Sequence, residues 1–303
     1  MKYFLTIPTY NGGDVWKQAV ERISSNLPAN FSVLVVDSGS KDDTVKWAEE
    51  AGFAVKHISS REFNHGGTRN LAASLAPEDS EVVVFLTQDA LLEPGSLESL
   101  VACFADADVA CAYGRQLPHL DANPIASHAR AFNYRQQSRT YSLEDIPTAG
   151  LKTVFSSNSF AAYRLSVFRE LGGFPSDTIL SEDMFFVAKA VMSGYKLAYV
   201  ADSQVRHSHN YSCMEEFKRY FDIGVFHGKE SWIREKFGGA GGEGKNFIFS
   251  EINYLVKNGV LYLPSAFLHN FFKILGYKLG QNYRALPANV TRSLSMHKRY
   301  WEQ

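Results

Sequence analysis

Five short apolar runs rich in β-branched residues, separated by segments of helical periodicity, constrain this chain more than any other feature. YFLTI (3–7), SVLVVD (32–37), AVKHI (54–58), VVVFL (82–86) and VACAY (109–113) read as strands, with four helical segments between them. Strand, helix, strand at this rhythm predicts an α/β fold with a Rossmann-like, mainly parallel sheet covered by helices on both faces. Ligands of such sheets bind beyond the carboxyl ends of the strands. The residues to question are therefore those that follow each strand: PTYNGG, DSGSKDDT, TQDA and GRQLPH.

From about Arg115 to Thr153 the periodicity weakens and Pro118, Pro124 and Pro147 interrupt it, which predicts an irregular insertion. A second ordered region follows, with strands at 154–164 and 196–201 and a helix from about Glu182 to Ser193. GGAGGEG (238–244) predicts a flexible break that acts as a hinge. The expected domains are a catalytic unit over 1–237 and a helical C-terminal extension over 245–303.

With 303 residues, 45% of them hydrophobic, the chain can bury one large core plus an appendage. A formal net charge of -1 gives no basis for nucleic-acid binding. The charge is uneven, however: residues 245–303 hold eight bases against two acids. Cys103, Cys111 and Cys213 are widely spaced and read as reduced thiols of a cytoplasmic protein. MKYFLTIPTYN does not read as a secretion signal, and the apolar stretch 258–272 is too short for a bilayer span.

Several stretches carry candidate chemistry. Asp37 ends a strand at the crevice, where its carboxylate can accept the imide N–H of a pyrimidine base, while Asp42 or Asp43 serves the next helix; a plain capping turn explains the same residues. FNHGGTRN (63–70) places Gly66 and Gly67 before a helix expected to begin near Thr68. Backbone N–H groups there, with Arg69, can hold a diphosphate, and a tight turn with a surface Arg69 is the other reading. Asp89 suits a divalent ion that is completed by phosphate oxygens, or else caps the helix starting near Ser96. Glu182 and Asp183 open a helix whose apolar positions are Phe186, Val187, Ala190 and Val191. A carboxylate at that rigid end can take a proton from an alcohol; complementing the helix dipole is the simpler role. His207 and His209 alternate along an extended segment, so at most one of them faces the crevice.

In this order IPTYNGG, VVDSGSKDDT, FNHGGTRN, FLTQDALLEP and SEDMFFVAKAVMSGYKLAYV resemble the inverting nucleotide-sugar glycosyltransferases of family 2 over residues 3–212. FNHGGTRN, TQDA and HSHNYS look most like bacterial rhamnosyltransferases that use dTDP-L-rhamnose. The resemblance implies a GT-A fold and a divalent metal, Mg²⁺ or Mn²⁺. It puts Pro8, Thr9, Tyr10 and Asn11 on the nucleotide, Asp37 on the pyrimidine, and Gly67, Arg69, Thr87, Gln88 and Glu182 in the donor site. Asp183 matches the general base, and Asp89 the last acid of the family's Asp-x-Asp metal motif. Thr87 replaces the first acid, so one charge is missing. His207, preferred over His209, falls near a position that supplies a metal or phosphate contact in some relatives.

The expected partners are a nucleotide-sugar donor, dTDP-L-rhamnose or a UDP-sugar, and a saccharide acceptor, lipid-linked, in surface polysaccharide synthesis. A second copy of the chain is a further partner left open. The aromatic, lysine-bearing segment 246–280 reads equally as a peripheral contact with the inner face of the cytoplasmic membrane or as packing against protein. The rival reading of the whole chain is a catalytically inactive nucleotide-sugar-binding scaffold, for which Thr87 is the best support.

Overall fold

The computed structural model describes residues 1–239 and 241–302. The chain packs into two compact units, the first of residues 1–117, 134–176 and 182–207, the second of 118–133, 177–181 and the residues from Ser208 onward.

The first unit holds one nine-stranded sheet. Its strands are β1 (Lys2–Thr9), β2 (Phe31–Asp37), β3 (Ala54–His57), β4 (Ser80–Leu86), β5 (Leu91–Leu92), β6 (Val109–Leu117), β7 (Arg139–Tyr141), β8 (Phe160–Arg164) and β9 (Lys196–Arg206). The order is β3-β2-β1-β4-β8-β6-β9-β5, with β7 also on β9. The pairs β1–β2, β1–β4, β2–β3 and β6–β9 are parallel. β8 runs antiparallel between β4 and β6. The five strands expected in the first third are all present.

Strand alternation sends neighbouring residues to opposite faces, and both faces are covered, so β4 reads as an unbroken apolar run. Val82, Val84 and Leu86 pack with Trp16, Ala19 and Ile23 of the helix Gly13–Asn26. Phe85 meets an aromatic cluster on the other face, Tyr163, Phe168, Phe174 and Phe186, largely in edge-to-face pairs. Phe186 belongs to the helix Glu182–Met192, which buries Phe186, Val187, Ala190 and Val191 as the periodicity predicts.

Because β8 is antiparallel, its beginning lies at the edge where β4 ends: Leu86 pairs with Phe160, and the Thr87 N–H donates to the Ser159 carbonyl at 3.3 Å. β9 ends beside β6, with Leu117 opposite Arg206 and the His207 N–H on the Leu117 carbonyl at 2.9 Å. The ends of β1, β2, β4, β6 and β9 and the beginning of β8 thus share one edge.

Two expectations fail here. The strand expected over 154–164 is only Phe160–Arg164; residues Gly150–Val154 form a 3-10 turn, and Phe155 to Ser159 form a loop. The irregular stretch expected from Arg115 to Thr153 begins as strand and contains the helix Pro124–Asn133 and β7. Pro124, read as a breaker, is the first residue of that helix, where a missing N–H costs nothing.

The second unit is helical: Pro124–Asn133, Cys213–Lys229, Ser231–Phe237, Gly241–Asn258, Leu263–Gln281 and Ala288–Leu294. Ser212 and Glu215 form a capping box that starts Cys213–Lys229. Of the expected glycine hinge, Ala240 lies outside the described residues, and Gly241–Gly244 form the first turn of Gly241–Asn258. Glycine disfavours a helix by about 1 kcal/mol per residue without forbidding it.

The compact units also divide elsewhere than at residues 237 and 245, because Cys213–Lys229 packs along Leu263–Gln281 within one unit. A Cβ on Gly280 would fall 2.0 Å from the Phe221 carbonyl oxygen, and one on Gly276 would fall 2.3 Å from that of Phe217. Gly280→Ala is expected to force the two backbones apart at a cost of about 1–3 kcal/mol, read as a lower urea midpoint of the full chain.

Candidate active site

β1 ends in Thr9 and β2 in Asp37, and the two side chains meet. The buried Asp37 carboxylate accepts from Thr9 Oγ1 (3.1 Å) and the Ser40 hydroxyl on one oxygen, and from the Gly39 and Ser40 N–H groups (3.0 Å each) on the other. Four donors fill the acceptor sites of an ionised carboxylate. Asp37 therefore holds the loop, and a base N–H must displace one of these donors to reach it. The Ser40 hydroxyl, which can rotate away, is the natural one to give way.

The next loop is held as tightly. Asn11 has a left-handed φ of 44°. Its N–H donates to Ser40 Oγ (2.9 Å), and its Oδ1 accepts from the Lys41 N–H (2.8 Å). Gln88 clamps the exposed Tyr10 from both sides, accepting from its N–H at 2.8 Å and donating to its carbonyl at 3.2 Å. Asp42 accepts from the N–H groups of Thr44 (3.1 Å) and Gly13 (3.0 Å), so it ties the helix start Thr44–Glu50 to the first loop. Pro8 pairs with Val36 in the sheet just below.

The glycine stretch differs from expectation. The helix begins at His65, one turn early, and Asn64 Oδ1 caps the Gly67 N–H at 2.8 Å. Gly66 is required by close packing, since a Cβ there would lie 2.0 Å from the Pro175 carbonyl oxygen. Arg69 is neither on the surface nor turned to an open crevice. It is buried, with Nη1 3.1 Å from Glu182 Oε1 and donating to the His65 carbonyl at 3.0 Å. Local capping thus engages Gly67, and a buried ion pair engages Arg69.

Glu182 and Asp183 follow Ser181, whose φ of 60° is strained for a residue with a side chain. The two acids have different surroundings. Glu182 is buried; burial pushes its carboxyl up, but the Arg69 guanidinium and the Asn158 amide (Nδ2 to Oε1, 2.9 Å) hold it below the usual carboxylate range. Asp183 accepts the Asn158 N–H at 3.0 Å and the Met184 N–H at 2.7 Å. Burial, and then the charge of Glu182 beside it, push Asp183 up to about 7. Neighbouring carboxylates whose surroundings drive them apart in this way divide into a fixed charge and a group that can exchange protons near neutrality.

Asn158 serves both acids and is not legible in the sequence, where SSNS reads as part of a continuous strand. Its Oδ1 accepts from the Tyr163 hydroxyl at 2.8 Å, which fixes the amide's orientation. Gln116, at the end of β6, lies in the GRQLPH stretch, where the sequence gives it no role of its own.

Asp89 does not cap the following helix, which starts at Ser96 with Gly95 before it and no side-chain cap. It lies opposite His207, with Oδ1 3.5 Å from His207 Nε2. Gln116 Nε2 donates to Ser157 Oγ at 2.9 Å, so its oxygen faces His207 Nδ1, also at 2.9 Å. That bond puts a proton on Nδ1, so in the neutral ring the Nε2 lone pair faces a carboxylate. Two acceptors face to face require a cation between them or a proton on the ring, and a histidine fixed by an amide oxygen is a common second shell of metal sites. Imidazole with carboxylate suits a divalent ion whose remaining positions are water or phosphate oxygen. Thr87, two residues before Asp89, has a buried hydroxyl oxygen without a hydrogen-bond partner among the described residues. His209 belongs to the second unit.

Comparison with known proteins identifies the family. The chain is 52% identical over 303 residues to the O-antigen chain rhamnosyltransferase RfbN of Salmonella typhimurium, covering 99% of this chain and 96% of that one. It is 51% identical over 301 residues to the O-antigen chain rhamnosyltransferase WbaN of Salmonella anatum, covering 99% and 95%. Among solved structures it resembles a mannosyltransferase from Pyrobaculum calidifontis in complex with GDP-Man and Mn²⁺, at a TM-score of 0.59 and 18% identity over 99% of this chain and 85% of that one. It also resembles S. aureus TarS 1–349 in complex with UDP-GlcNAc, at a TM-score of 0.56 and 19% identity over 98% and 84%. These structural likenesses establish the GT-A fold. Residues 5–172 match Glycosyl transferase family 2, and the chain belongs to that family of glycosyltransferases.

Proposed function

We propose that the chain transfers L-rhamnose from dTDP-L-rhamnose, with inversion, onto a lipid-linked saccharide acceptor in O-antigen synthesis, working at the inner face of the cytoplasmic membrane. The identity of about half the residues to two O-antigen rhamnosyltransferases, end to end, supports the substrate class. The chemistry rests on one observation, a buried Asp183 carboxyl held by the Asn158 and Met184 N–H groups beside a Glu182 that is paired with Arg69.

The reaction follows from that pair. The acceptor hydroxyl oxygen attacks the anomeric carbon, and its proton passes to Asp183. The bond from that carbon to the diphosphate oxygen breaks on the opposite face, and the electron pair leaves with dTDP. General-base assistance of this kind is worth about 10²- to 10⁴-fold. Asn158 and Met184, through their N–H groups, hold the Asp183 oxygens in place for the transfer. Thr9, Tyr10, Asn11 and the Asp37 loop take the nucleoside, and the unpartnered Thr87 hydroxyl takes a donor hydroxyl. Asp89 and His207 would hold Mg²⁺ or Mn²⁺, which when bound supplies positive charge for the diphosphate oxygens.

Calorimetric titration of dTDP, UDP, GDP and ADP, with Mg²⁺ and then with EDTA, tests this reading. dTDP is expected to bind in preference to the others, and chelation to weaken it. Gln116→Leu, which frees the His207 ring without removing a ligand, is expected to lower metal affinity by about 10- to 100-fold. Preferential binding of UDP would move the donor away from rhamnose, and absence of all nucleotide binding would favour an inactive scaffold.

A further inference from the structure

The second unit contains a helical pair built inside out. In Leu263–Gln281 the buried positions are Ala266, His269, Lys273, Gly276 and Gly280. Phe267, Leu268, Phe271, Ile274 and Leu275 point outward, Phe267 with 75% of its surface exposed. The partner helix Gly241–Asn258 buries Glu251 beside Leu255 and exposes Phe249, Ile252 and Val256. Between them the turn exposes Val260 and Leu261, the latter 89% exposed. The outward residues recur at helical spacing, 249-252-256 and 267-271-274, so each helix carries a continuous apolar stripe. A water-facing helix has the opposite arrangement, and a contiguous apolar face of this kind marks a surface that another phase or molecule covers.

Charge identifies what covers it. Lys245 and Lys278 extend the two stripes at the same spacing, and Lys257 and Arg284 adjoin them; all four are exposed. The pair holds two acids: Glu243, in the first turn of Gly241–Asn258 and two residues from Lys245, so off the stripe, and Glu251, which is buried and accepts from the Asn270 amide. Lys273, the remaining base, is buried against Glu216 at 3.2 Å. The stripes therefore combine exposed aromatic and aliphatic side chains with the lysines that continue them, Lys245 and Lys278. That composition matches an anionic lipid surface, where apolar residues sink to the acyl boundary and lysines reach the headgroups. No helix among the described residues is long and apolar enough to cross a membrane, so contact is along the surface.

We infer that the pair Gly241–Asn258 and Leu263–Gln281 docks this protein onto an anionic lipid bilayer through Phe249, Ile252, Val256, Phe267, Phe271 and Ile274. Flotation of the full chain with phosphatidylcholine vesicles, with and without phosphatidylglycerol, tests this independently of sugar transfer, since no donor is present. The wild type is expected to float with the anionic vesicles. Phe267→Glu/Phe271→Glu/Ile274→Glu is expected to reduce the bound fraction at least about ten-fold, because each buried side chain alone is worth roughly that factor. Lys257→Glu/Lys278→Glu, at exposed positions that the fold does not depend on, should lose the preference for anionic vesicles while still binding dTDP. Equal flotation of wild type and triple variant would overturn the inference. So would a wild type that stays unbound and sediments as a dimer that the triple variant converts to monomer, since a second copy would then cover the face.

Discussion

Asp183→Asn is expected to lower kcat by about 10²- to 10⁴-fold while leaving the affinity for dTDP within about two-fold of wild type. The asparagine keeps an oxygen for one of the two N–H groups that orient Asp183, those of Asn158 and Met184, but cannot accept a proton from the acceptor hydroxyl. Single-turnover transfer with a saturating acceptor measures it directly, and full activity would remove Asp183 from the reaction. In the wild type, kcat/KM should rise with pH through about 7, because the base must be ionised and burial with Glu182 pushes its carboxyl up to about 7. The same displacement has a cost in stability. Between the unfolded carboxyl value of about 4 and that folded value the native state binds the extra proton, so wild-type stability falls as pH rises across this window. The amide of the Asp183→Asn variant has no charge to gain. The melting temperature of the variant minus that of wild type should therefore grow from pH 5 to pH 8. A constant difference would mean that Asp183 titrates normally.

The distinction between what could and could not be read from the sequence follows from the range of the interactions. β1, β2 and β4 were legible because each is a local apolar run buried on both faces, and Glu182 and Asp183 because helical periodicity fixes the start of Glu182–Met192. Asp89 was legible only as one of two roles; the geometry against His207 favours the metal role over the cap. Asn158 and Gln116 were invisible because their partners are 24 and 91 residues away in the chain, across β8 and β9, and no local pattern announces an amide turned toward a distant ring or acid. Arg69 misled for the same reason. Beside two glycines it looks like a phosphate ligand, yet its partner lies on a helix that begins 113 residues later.

That partner makes Arg69 the most informative residue to change. Arg69→Met removes one half of a buried ion pair and leaves Glu182 charged without its guanidinium, at an expected cost of about 3–5 kcal/mol, read by urea unfolding. Arg69→Met/Glu182→Gln takes away both charges and keeps an oxygen for the Asn158 amide, so most of that stability should return. The double variant also separates two roles for the arginine. If Arg69 acts only through Glu182, the double variant binds dTDP as wild type does. Its kcat/KM profile then moves to lower pH, because the charge that helps to raise Asp183 is gone. If instead the guanidinium turns to the diphosphate when donor binds, the double variant is stable yet binds dTDP at least about ten-fold more weakly, as the loss of a charge-assisted hydrogen bond requires. The buried 3.1 Å contact between Arg69 and Glu182, together with the bond from the same guanidinium nitrogen to the His65 carbonyl, favours the first outcome, since a reorienting arginine would leave a buried carboxylate uncompensated at the moment of transfer.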